Sequence, residues 1–133
     1  MKNKHIRIQL ALAAASILRL EDFVDNHTGL ARKERMRLKI AATEVFENIL
    51  MHNRSLFNIP VLIRFYGDDT ARLSIRYFST HICSPGLPDC RCTPYYDPKT
   101  RRYRGLGLRM CSNLTRSIVF RKGLFKREII IIL

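Results

Sequence analysis

Alternation of apolar and polar residues is clearest in the middle of the chain. Val61–Tyr66 and Ala71–Phe78 both alternate with period two, and Gly67-Asp-Asp-Thr70 between them supplies turn residues. This predicts a β-hairpin. Ile6–Leu10 alternates in the same way and predicts another strand. The period then lengthens. Ala11–Asn26 keeps one apolar face through Ile17, Leu20, Phe23 and Val24, which predicts an amphipathic helix closed by His27-Thr-Gly29. Ala31–Asn53 predicts a second helix, basic at its start and apolar later, followed by a connection over Arg54–Pro60. Ser79–Arg104 breaks the pattern. It holds four of the 5 prolines and three of the 4 cysteines, and predicts a long irregular loop. A loop of that length in a small domain usually serves function.

Composition narrows the class. The 133 residues are 47% hydrophobic and 26% charged, ordinary for one globular domain spanning 1–133. No apolar run reaches the length of a membrane span, so no membrane partner is expected. Met1–Arg7 followed by Ile8–Leu18, with Ala13-Ala-Ala15, has the outline of a secretory leader. Gln9 interrupts the apolar run, and the helical face continues beyond it, so the stretch reads as folded structure and the protein as cytoplasmic. The charge is +13, from 24 Lys+Arg against 11 Asp+Glu. Between Lys99 and Arg127 every charged residue is basic. Such a segment favours anions: nucleotide phosphates, nucleic acid or an acidic protein. Nucleic acid is not the expected partner, because these cations are spread over a loop, a helix and a strand and form no recognition module.

Two segments carry candidate chemistry. In Glu44-Val-Phe-Glu-Asn48-Ile-Leu-Met-His52, a helix stacks Glu44, Asn48 and His52 into one polar stripe among apolar neighbours. A carboxylate and an amide oxygen facing one cleft can hold a hydrated divalent cation. The plain alternative is a surface i,i+4 arrangement in which Asn48 is incidental. In Arg104-Gly-Leu-Gly-Leu108, the glycines at 105 and 107 let backbone N–H groups approach a phosphate at the start of a following helix. Separately, His81, Cys83, Cys90 and Cys92 form a weak candidate zinc set, with spacings tighter than zinc sites usually show. Tyr95, Tyr96 and Tyr103 lie among Lys99, Arg101, Arg102 and Arg104. They could stack bases, or cover a core edge while the cations stay in water.

Taken together, the stripe and the glycine segment resemble the ATP-binding domain of bacterial anti-sigma-factor serine/threonine kinases. That family belongs to the histidine-kinase-like ATPase superfamily, the Bergerat fold. Its N-box reads roughly E-x-x-x-N-x-x-x-H and is matched by Glu44, Asn48 and His52. Its last glycine box reads roughly R-G-L-G-L and is matched by Arg104, Gly105, Leu106, Gly107 and Leu108. The resemblance covers nearly the whole chain. It implies a helix over Arg109–Arg116 and closing strands over Ser117–Lys122 and Leu124–Leu133. The implied fold is α+β: a two-layer sandwich with a mainly antiparallel mixed sheet, helices on one face and a lid-like loop at 79–104.

By the same resemblance the cofactors would be ATP and Mg2+. Asn48 would hold Mg2+, and Glu44 would be the catalytic base toward a serine hydroxyl. His52, Ser79, Arg104 and Gly105–Leu108 would contact the nucleotide. The implied partners are a sigma factor or an anti-sigma antagonist protein, with a homodimer possible. One motif departs from the family. Where D-x-G-x-G should follow the hairpin, this chain has Ser79-Thr-His-Ile-Cys83, with Ser79 in place of the aspartate that accepts from the adenine amino group. A hydroxyl is a weaker acceptor than a carboxylate. Two further readings therefore stay open: a member that binds a protein without catalysis, and a basic nucleic-acid-binding protein.

Overall fold

The computed structural model describes residues 5–52, 59–79, 95–97, 102–104 and 113–133, and only the backbone of His52, 95–97 and 102–104. Strand β1 (His5–Leu10) leads into helices α1 (Ser16–His27) and α2 (Arg32–His52). Strands β2 (Val61–Tyr66) and β3 (Arg72–Phe78) follow, then a short pair, β4 (Tyr95–Asp97) and β5 (Arg102–Arg104). Strands β6 (Ser117–Lys122) and β7 (Lys126–Ile132) close the described chain.

Five strands form one sheet in the order β1-β2-β3-β7-β6, and every described pair is antiparallel. This is the α+β sandwich that the sequence pattern implies. Its register sorts the side chains onto two faces. Ile8, Ile63, Ile75 and Ile129 align across β1, β2, β3 and β7, and Phe120 continues the row on β6. This inner face packs against the helices, with Leu20, Phe23 and Val24 of α1 and Leu38, Val45 and Phe46 of α2 completing the core. The Ala41–Ala42 pair is fully buried as well, which lets the backbone of α2 sit close to its neighbours.

The segment 5–10 is strand in the sheet, as the alternation over Ile6–Leu10 predicts. Two expectations need correction. Helix α1 starts at Ser16, not Ala11. Ala11–Ala15 is spent on tight turns, with Ala13 N–H donating to the Ala11 carbonyl at 2.9 Å and Ser16 N–H to that of Ala13 at 3.0 Å. Alanine favours helix, but the chain must reverse off a sheet edge here, and that tertiary demand wins. Nor is 79–104 wholly irregular. Tyr95↔Arg104, Tyr96↔Tyr103 and Asp97↔Arg102 pair as a β-ribbon. The β-favouring tyrosines outweigh the turn residues at its ends.

The joint between the helices is specified locally. Thr28 Oγ1 donates to the Val24 carbonyl at 2.7 Å, and Gly29 follows at φ +67°, where glycine carries no steric penalty. Asp25 on α1 then holds Lys39 of α2 through both carboxylate oxygens, at 3.1 and 3.0 Å, with Arg35 Nε at 3.5 Å. These groups are partly exposed, so the contact sets the angle between helices more than it adds stability.

Candidate functional site

The second half of α2 carries the candidate chemistry. Leu38, Ala41, Ala42, Val45, Phe46 and Ile49 recur at helical spacing and are buried. Glu44 and Asn48 flank that apolar face one turn apart, both half-buried, so the polar stripe exists as a feature of the fold. His52 is the last residue of α2. Thr43 adds a further polar group beside the stripe. Its Oγ1 is buried without a hydrogen-bond partner among the described residues.

Burial raises the pKa of Glu44 above the ordinary carboxylate range, and the negative charge of Glu47 raises it further. The folded chain therefore binds this proton more tightly than the unfolded chain. The contribution is fully present below the unfolded pKa and is lost as pH rises through the higher folded value, so ionised Glu44 costs stability at neutral pH. Glu44→Gln is expected to raise Tm slightly at pH 7. The gain should disappear as the pH falls to about 4, where the wild-type carboxyl is also protonated. Thermal melts of both proteins across pH 4–8 check this.

Ser79 stands at the exit of β3 and is only 3% exposed. Its N–H donates to the Phe125 carbonyl at 2.8 Å, and Phe78 stacks on the Phe125 ring with centroids 5.8 Å apart. These contacts fix the backbone at the exit of β3. On the inner face nearby, Tyr77 and Arg127 are cross-strand partners and both are buried. Burial pushes the Tyr77 phenol above its usual range, opposed by the charge of Arg127 and a hydrogen bond between the two side chains. Helix α2 touches β7, the strand that carries Arg127.

Sequence reasoning missed this buried polar pair, although a signal was present. Arg127 shares parity with Ile129 and Ile131 along β7, which assigns it to the inner face. Other expected site residues lie elsewhere. Arg104 is the last residue of β5 by its backbone. Gly105, Leu106, Gly107 and Leu108 lie outside the described residues, as do His81, Cys83, Cys90 and Cys92 and the first half of the expected helix over Arg109–Arg116. Among the described residues there is no group of three or more His, Cys, Asp or Glu placed to hold a metal. Also among the described residues, no helix is long and apolar enough to cross a membrane.

Two helices packed on one face of a five-stranded antiparallel sheet are the architecture of this domain. A solved structure shares that architecture: the RsbU and RsbW domains of Rv1364c from Mycobacterium tuberculosis. The match covers 97% of this chain with a TM-score of 0.65 and 12% sequence identity. This chain spans 32% of the length of that one. At that identity the likeness establishes a common fold. No protein-family model matches the sequence, and no curated protein matches it.

Proposed function

We propose that this chain is a cytoplasmic regulator of the anti-sigma type, an ATP-binding domain that phosphorylates a serine or threonine on an antagonist protein. The observation that carries the reading is the pairing of Glu44 and Asn48, half-buried on one face of α2, within a fold common to a structure that contains an RsbW domain. The donor set suits the cofactors in part. Asn48 offers a neutral oxygen that a hard divalent cation accepts, and Glu44 a carboxylate that can take a proton. Ser79 offers a hydroxyl at the adenine end.

Asn48 would hold Mg2+, and Glu44 would accept the proton of the substrate hydroxyl. A carboxylate raised by burial is a better proton acceptor near neutral pH than an exposed one. Backbone N–H groups of Gly105 and Gly107 would receive the phosphates, with Leu106 and Leu108 shaping the loop and Arg104 and His52 beside it. Bound Mg2+-ATP supplies the transferable phosphoryl group, and the metal offsets the charge on its oxygens. A sigma factor or an antagonist protein is the proposed partner.

A second reading, a regulator that binds protein without catalysis, is favoured by Ser79 itself. Its side chain is enclosed where a carboxylate is expected, so adenine would meet a weaker acceptor. Calorimetry with Mg2+-ATP and Mg2+-ADP separates the two. Saturable binding supports the kinase reading, and none at millimolar nucleotide supports the second. Ser79→Asp sharpens the test. A restored charged hydrogen bond should strengthen nucleotide binding by about 1.5–3 kcal/mol, roughly 10- to 150-fold. Without nucleotide the same substitution should lower Tm, because it encloses a carboxylate. A variant that binds no better would remove this position from the adenine contact.

A further inference from the structure

The face of the sheet turned away from the helices has its own chemistry. Register places His5, Arg7 and Gln9 of β1 beside Tyr66, Arg64 and Leu62 of β2. Arg72, Ser74 and Arg76 of β3 come next, opposite Ile132, Ile130 and Glu128 of β7. Val119 lies beyond Ile130 on β6. The face thus has a basic half on β1, β2 and β3, while β7 and β6 add an apolar strip of Ile130, Ile132 and Val119, bordered by Glu128, which is shared between Arg76 and Arg121. Its rim is open: His5, Arg7, Gln9 and Val119 are exposed.

The basic half is under strain of charge. Arg7 and Arg64 are directly opposite across the β1–β2 pair, an arrangement that costs stability between like charges. Arg64 Nε is buried and has no hydrogen-bond acceptor among the described residues. Neighbouring cations are treated differently. Arg76 donates to Glu128 Oε2 from Nε at 3.1 Å and Nη2 at 2.9 Å, while Arg72 lies over the Tyr66 ring at 4.7 Å and 3.7 Å from Asp68. Among the described residues, the charge without an acidic partner is centred on Arg7 and Arg64.

We propose that this outer face is a docking surface for an acidic, amphipathic helix of another protein. Charge complementarity selects the acidic side, which would lie over Arg7, Arg64 and Arg72. The apolar strip of Ile130, Ile132 and Val119 selects the other side. The dimensions agree, since a helix about 10–12 Å across covers two to three strands about 4.8 Å apart. Laid along β3, it reaches both halves at once. A phosphate chain would leave the isoleucines unused. A second copy of this chain would bring arginines against arginines. The surface lies on the opposite side of the sheet from Glu44 and Asn48, so it does not depend on nucleotide binding.

The test uses the full chain, 15N-labelled, and three fluorescent probes. These are a Glu/Leu amphipathic helical peptide, a scrambled peptide of equal composition, and a single-stranded oligo-dT of matched charge. At about 150 mM salt, near the physiological screening length, the amphipathic peptide should bind best and shift the amides of Ser74 and Ile130. Arg7→Gln/Arg64→Gln should weaken it about tenfold or more, and Ile130→Thr about fivefold. The double variant should melt no lower than wild type, since it removes a like-charge pair. Three results would each overturn the proposal: tighter binding of oligo-dT with Ile130→Thr silent, equal binding of the scrambled peptide, or amide shifts confined to α1 and α2. A marked drop in Tm for the double variant would also overturn it, by showing that the arginines serve the fold.

Discussion

Phe46→Ala is expected to lower stability by about 3–5 kcal/mol, the range for truncating a large, fully buried aromatic side chain. Phe46 is 0% exposed and, among the described residues, is the largest of the fully buried side chains. It lies on α2 between Ala42 and Ile49, facing the sheet, and the small residues at 41 and 42 leave little that could collapse into the space. At on the order of 4 °C per kcal/mol for a chain of this size, Tm should fall by about 12–20 °C. Differential scanning calorimetry reads this directly. A drop of only a few degrees would mean that α2 can move to refill the gap and that its seat on the sheet is soft.

Asn48→Ala should do the reverse, leaving Tm nearly unchanged while abolishing Mg2+-dependent nucleotide binding. The side chain flanks the core and fills none of it, so little packing is lost. Its amide oxygen is the one proposed protein ligand to the metal, and alanine offers no replacement. Calorimetry should show the loss with Mg2+-ATP, against a wild-type titration under the same conditions. Unchanged affinity in a folded variant would remove Asn48 from the site, and with it the kinase reading of the α2 stripe.

The strands and helices were legible in the sequence because their faces are chemically distinct. Val61, Ile63 and Phe65 alternate with Leu62, Arg64 and Tyr66, and the sheet buries the first set under the helices. The Glu44–Asn48 stripe was legible for the same reason, as polar positions at helical spacing beside a core face. What could not be read depends on pairing between distant segments. Arg7 and Arg64 are 57 positions apart, and only the β1–β2 register makes them neighbours. Lys99–Arg127 stood out because its cations are close in sequence, and the sheet gathers others from three strands. The Ala11–Ala15 turns were missed because alanine signals helix and the sequence shows no local reason to turn. The ribbon formed by β4 and β5 was missed because prolines dominate the surrounding composition.

The position of β7 has a consequence for the order of events during synthesis. The strand nearest the end of the described chain sits inside the sheet, between β3 and β6. Arg72 must wait for Ile132 before its strand gains a second partner. Until residues 126–132 have emerged, β3 presents an open edge and β6 has no neighbour in the sheet. Such late, long-range pairing slows folding and leaves an unpaired strand edge exposed in the meantime. The nascent chain can assemble β1, the helix pair and the β2–β3 hairpin early. It stays vulnerable to edge-to-edge association until β7 enters the gap between β3 and β6.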